Sequence, residues 1–112
     1  MSIADVRLTA QEKEGIRQAV TEAASRHGVR WKRISLFGSR TDPTARGGDI
    51  DLYLEVDGND VDLDAFSRAV RLQLHDRLGE QKIDVVVDDG RRNLGSFGEL
   101  IRRTKVDLWT MV

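Results

Sequence analysis

Two aspartates set two residues apart in an apolar run constrain this chain more than any other feature. Residues 36–55 read L-F-G-S-R-T-D-P-T-A-R-G-G-D-I-D-L-Y-L-E. A β-strand alternates its faces with period two. A strand here puts Asp49, Asp51 and Tyr53 on one face and Ile50, Leu52 and Leu54 on the other. The apolar three enter a core. The two carboxylates are left on the open face, with their Cα atoms roughly 6.5 Å apart. Like charges held that close raise each other's pKa unless a cation sits between them. Oxygen ligands facing an open cleft suit Mg²⁺ or Mn²⁺, which bind through a few carboxylates plus substrate phosphates.

The chain has 112 residues, the size of one domain, 1–112, with room for one core and one site. No separate substrate domain fits. Lys+Arg 18 nearly cancels Asp+Glu 19, for a net charge of -1. Bulk attraction to nucleic acid or to an anionic membrane is therefore not expected. A local site can still be electropositive and take a nucleotide. With no Cys, disulfides and thiolate metal sites are excluded. No apolar leader opens the sequence and no run approaches a membrane span, so the expectation is a soluble, cytoplasmic protein.

Thr9 and Glu12 form a capping box, and Ile16, Ala19, Val20, Ala23 and Ala24 recur at helical spacing up to Gly28. This predicts a helix over 10–27, with His27 in the last turn beside the negative end of the dipole. A short strand follows over 33–37 and ends at Gly38. Residues 39–48 are expected to form one helical turn and then a mobile loop. The Asp-x-Asp strand covers about 50–56, and Asp57-Gly58-Asn59-Asp60 is a turn. Asp62 caps a second helix whose apolar stripe is Leu63, Phe66, Val70, Leu74 and Leu78, closed by Gly79; His75 sits beside the stripe at the surface. Lys82 to Val87 is a strand, with Ile83, Val85 and Val87 opposite Asp84 and Val86. Asp88-Asp89-Gly90 reads as a turn. Ser96 and Glu99 repeat the capping-box pattern for a short helix to about Thr104. Trp109, Met111 and Val112 form an apolar tail that must pack on something. The expected fold class is α/β (α+β): a small mixed three-stranded sheet flanked by helices.

Asp84 is a lone carboxylate in a strand otherwise made of Ile and Val. Such a charge is costly unless paired or bound to a metal. If its strand lies in register beside the Asp49–Asp51 strand, three carboxylates converge. Two can hold metal ions, and the third can share one and accept a proton from an attacking hydroxyl. Two-metal phosphoryl or nucleotidyl transfer requires that set. Gly38-Ser39 ends a strand at the same cleft. Glycine lets the backbone approach a phosphate, and exposed N–H groups with a Ser hydroxyl can hold its oxygens. Arg40 and Arg46 are close enough in sequence to reach a triphosphate.

G-S, a loop, D-x-D in a strand and a later strand with an isolated Asp together resemble the nucleotidyltransferase superfamily that includes DNA polymerase β. The wording G-S-R…G-D-I-D-L-Y-L-E…K-I-D-V-V-V, over roughly residues 30–105, is similar to its minimal nucleotidyltransferase (MNT) members. Those are commonly antitoxin partners of HEPN-domain ribonuclease toxins. The resemblance implies the polymerase β-like fold, with ATP as nucleotide donor and Mg²⁺ or Mn²⁺ as cofactor. It implies that Gly38, Ser39 and Arg40 bind the nucleotide, that Asp49 and Asp51 bind the metals, and that Asp84 is the third carboxylate, assisting the acceptor hydroxyl. The implied reaction is AMPylation of a tyrosine of the HEPN toxin. Two features depart from the pattern: nine residues separate Ser39 from Asp49, a short spacing, and Gly48 stands where a Ser often precedes the first Asp.

Other cation and phosphate motifs do not fit. In an EF-hand loop Tyr53 would occupy the third ligand position, and no Gly stands at the sixth. No G-K-[ST] ends the glycine-rich loop as a P-loop needs. Trp31, Trp109 and the Arg91-Arg92 and Arg102-Arg103 pairs are either a partner surface or partly exposed core and solvated charge. Two alternatives stand beside the AMPylating antitoxin: a nucleotidyltransferase for a small molecule, as in the aminoglycoside-modifying relatives, and an antitoxin acting by binding alone.

Overall fold

The computed structural model describes residues 8–41, 49–57, 62–79, 81–91 and 93–111, without the Ser39 side chain. The expected loop beyond Thr41 and the turn at 58–60 lie outside these residues, as does Val112. The described residues form three α-helices, one 3-10 turn and four strands. In chain order these are α1 (Ala10–His27), β1 (Arg30–Phe37), the turn Gly38–Thr41, β2 (Ile50–Asp57), α2 (Leu63–Leu78), β3 (Ile83–Asp88), α3 (Gly95–Thr104) and β4 (Val106–Thr110).

Local chemistry places most of these boundaries. The Thr9 hydroxyl accepts from Glu12 N–H, and Glu12 accepts from Thr9 N–H, so the capping box is complete. Gly28, at φ 66, closes α1 in the left-handed conformation, where glycine has no Cβ penalty. The Asp62 carboxylate caps α2 by accepting from Asp64 N–H and Ala65 N–H. β1 starts three residues before its predicted start, because the Trp31 ring is buried and its Nε1–H donates to the Thr21 hydroxyl on α1.

Two expectations are corrected. The sheet of the described residues has four strands, not three: Val106–Thr110, which includes Trp109 of the apolar tail, forms β4 and pairs antiparallel with β1 at the sheet edge. Trp109 anchors it, its Nε1–H donating to the Lys13 carbonyl while Arg17 lies over its ring at 5.7 Å. Nor does Ser96 cap α3. The helix begins two residues earlier, with Leu94 at the N-cap and no side-chain cap bond, and Asn93 accepts from Gly95 N–H instead.

The strand order is β3-β2-β1-β4. β1 runs antiparallel to β2 and β4, whereas β2 and β3 are parallel. Period two and this register sort the side chains. Ile34, Leu36, Leu52, Leu54, Val85 and Val87 share one face, and all are buried in the main core with the stripes of α1 and α2. The opposite face carries Phe37, Asp51, Tyr53, Asp84 and Asp88, and α3 crosses it: Phe97 meets Phe37 edge-on at 6.1 Å and Arg102 reaches Asp88 at 3.8 Å. Tyr53 and Ile101 are buried but lie outside the main core. The face expected to be open is therefore open at Asp51 and covered at Tyr53. Among the described residues no helix is long and apolar enough to cross a membrane.

Candidate functional site

The Asp51 site forms where three strand ends meet. β1 stops at Phe37 because Gly38, at φ 78, turns the chain sharply into the 3-10 turn. The Thr41 hydroxyl closes that turn by donating to the Gly38 carbonyl at 2.7 Å. Phe37 pairs with Asp51, and Asp51 pairs in parallel register with Asp84. A Cβ on Gly38 would overlap the Oδ2 of Asp51 and lie 3.3 Å from its Cγ. Only glycine leaves room for the backbone to pass this close to the carboxylate.

Asp49 immediately precedes β2. Its carboxylate faces Lys82 Nζ at 3.5 Å, and the Lys82 carbonyl accepts from Ile50 N–H. Burial pushes the Asp51 carboxyl up to about 6, helped by the charges of Asp84 and Asp49 and by a hydrogen bond with Asp84; the nearby Lys82 ammonium works the other way. Asp84 and Asp49 thus both act on Asp51, and the parallel pairing of β2 with β3 brings Asp84 beside it.

An oxygen-only donor set with surplus negative charge and a carboxyl that resists ionising suits a hard divalent cation. Among the described residues, however, no group of three or more His, Cys, Asp or Glu side chains stands ready-made around one point. Ser39 lies within the 3-10 turn, its side chain outside the described atoms. Arg40 is half-buried in the same turn, and Arg46 lies outside the described residues.

Sequence reasoning missed two elements here. Along the chain Lys82 reads only as the start of a strand, although its position before Ile83 puts it level with Asp49. Asp88 is expected in a turn, yet it ends β3, is 8% exposed and accepts a hydrogen bond from the buried Tyr53 hydroxyl. Burial, then that bond, pushes the Tyr53 hydroxyl up to about 12. Extending the alternation Asp84, Val86, Asp88 would have put Asp88 on the face of Tyr53.

Further along this face, Ser35, Arg33, Glu55, Lys105 and Asp107 form a charge-balanced cluster that ties β4 and β2 to β1. The Trp and His expectations divide. Trp31 is core and Trp109 is half-buried against α1; His27 sits edge-on to Phe66 at 6.5 Å in the last turn of α1, and His75 is exposed.

The sequence matches no protein-family model, and no curated protein matches it significantly.

Proposed function

We propose that this protein is a metal-dependent nucleotidyltransferase of the polymerase β-like kind, an antitoxin that transfers AMP from ATP to a tyrosine of a HEPN-domain toxin. The observation that supports it best is the parallel pairing of Asp51 with Asp84 beside a glycine whose backbone lies against the Asp51 carboxylate. The acceptor and the partner come from the resemblance in the wording of the sequence.

In this reading Asp49, Asp51 and Asp84 hold the divalent ions. The ions, when bound, polarise the α-phosphate and lower the pKa of the attacking hydroxyl. Backbone N–H groups around Gly38 and the Ser39 hydroxyl hold the triphosphate oxygens, and Arg40 neutralises part of their charge. Asp84 accepts the proton of the tyrosine hydroxyl. A bond forms between the phenolic oxygen and the α-phosphorus, the bond from that phosphorus to the bridging oxygen breaks, and pyrophosphate leaves. A free tyrosine hydroxyl has a pKa near 10, so a carboxylate alone is a weak base for it.

Intact-mass spectrometry of the toxin after incubation with ATP and Mg²⁺ tests the proposal. One or more added AMP units with wild type, and none with Asp49→Asn or Asp84→Asn, is the expected result. If those variants still neutralise the toxin fully at normal expression, neutralisation is by binding alone.

A further inference from the structure

A cavity of about 350 Å³ opens between the end of β1 and the outer side of α3. Phe37, Gly38 and Thr41 line one wall, and Phe97, Leu100 and Thr104 the other. The volume falls within the range of about 300–1,000 Å³ usual for small-molecule sites. Phe97 is 51% exposed and Leu100 48% exposed, so both present apolar surface to an occupant.

The cavity and the Asp51 site share Gly38. The strand order puts Asp84 on the β3 side of Asp51 and the cavity on its β1 side. A molecule bound there does not compete with a hydroxyl approaching Asp84. Its chemistry is also defined by the lining. The phenyl rings of Phe37 and Phe97 offer faces and edges to a flat aromatic ring. The Thr41 hydroxyl donates to the Gly38 carbonyl and the Thr104 hydroxyl to the Leu100 carbonyl. With those protons committed, each threonine offers an occupant only oxygen lone pairs. The cavity thus suits a flat, uncharged ring that carries an N–H donor.

We propose that this cavity seats the base of the donor nucleotide, and that it favours adenine through its exocyclic amine, an inference that rests on the nucleotidyl-transfer reading. The base lies in the cavity against the rings of Phe37 and Phe97, which meet each other edge-on, and the phosphates run past Gly38 towards the aspartates. α3 is then a specificity element, with Phe97 and Thr104 as base-contacting residues.

Adenosine tests this without the reaction, because it carries no phosphate and needs no metal ion. The full chain is titrated with adenosine in EDTA and followed by NMR of its methyl and aromatic groups. Saturable shifts at Phe37, Phe97 and Leu100 are expected. Phe97→Ala, at a half-exposed position, weakens binding about tenfold, the order expected for losing one base–aromatic contact. Leu100→Trp fills the cavity and blocks binding. Purine riboside, which lacks the amine, binds more weakly than adenosine, and Thr104→Val narrows that difference. Absence of saturable shifts at these residues, or unchanged binding in both Phe97→Ala and Leu100→Trp, overturns the seat. Equal binding of the two nucleosides overturns the assignment to adenine. AMP transfer without adenosine binding here removes the base seat and leaves the transfer reading standing; adenosine binding without transfer does the converse.

Discussion

The backbone of Gly38 passes so close to Asp51 that a Cβ would overlap the carboxylate oxygen Oδ2. The residue also sits at φ 78, where an L side chain costs about 1–2 kcal/mol. Gly38→Ala should therefore lower stability by about that amount or more and displace the Asp51 carboxylate. Urea unfolding measures the first effect and AMP transfer the second. Wild-type values of both would mean that the turn relaxes freely and that the close approach is incidental.

Neighbouring substitutions in β2 should have opposite consequences. Asp51→Asn removes one of three mutually repelling charges, so at neutral pH in EDTA it should melt at or above the wild-type temperature while losing transfer. Leu52 is fully buried, and Leu52→Ala should cost about 2–5 kcal/mol through the cavity it leaves. An Asp51→Asn protein that melts far below wild type in EDTA would make that carboxylate a structural group.

The Tyr53 hydroxyl donates to the buried Asp88 carboxylate, and Arg102 approaches the same carboxylate at 3.8 Å from a half-exposed position. Tyr53→Phe leaves a buried acceptor short of a partner and should cost about 1–3 kcal/mol. Arg102→Ala should cost less, because a solvated ion pair is worth about 0–1 kcal/mol. A double-mutant cycle between Tyr53 and Asp88 checks the attribution, and additive losses would rule out direct coupling.

Acid should loosen the attachment of β4. Burial opposes ionisation of Asp107, but hydrogen bonds from Lys105 and Ser35 and the charges of Lys105 and Arg33 hold its carboxyl below the usual carboxylate range. The unfolded chain then binds its proton at higher pH than the folded chain. The stabilisation is present above about pH 4, the unfolded value, and is lost as pH falls through the lower folded value. Asp107→Asn should lower stability at pH 7 and flatten its fall towards acid pH. The same slope in both proteins, measured by urea unfolding from pH 7 to pH 3, would assign the acid sensitivity to other groups.

ATP should bind with measurable affinity only when Mg²⁺ or Mn²⁺ is present, because Asp49, Asp51 and Asp84 together repel a triphosphate. Calorimetry with and without EDTA makes the comparison. Equal affinity in both conditions would remove the metal role from these residues.

Much of the framework is readable along the chain because its causes are local. Thr9 and Glu12 start α1 and Asp62 starts α2 through bonds that span two or three residues. Alternation in Ile50–Asp57 and Ile83–Asp88 sorts apolar from charged side chains whatever those strands pair with. Gly38, Ser39, Asp49, Asp51 and Asp84 are visible for the same reason, as residues that break an apolar pattern. α3 is the local exception: a sound capping-box pattern at Ser96 goes unused, because Asn93 accepts from Gly95 N–H and the helix starts earlier.

By itself, the sequence determined which residues must leave the core and where two of the three helices start. Pairing and covering were decided by the tertiary structure alone. The register that sets Asp51 beside Asp84 joins strands separated by a whole helix. The conversion of the tail into β4 depends on the free edge of β1 and on Lys13 and Arg17 of α1. Tyr53 is buried on the face that α3 crosses, and Asp88 is placed at a strand end, opposite Glu55, rather than in a turn. Backbone and side-chain groups find such partners by proximity in space, and separation along the chain carries no trace of it.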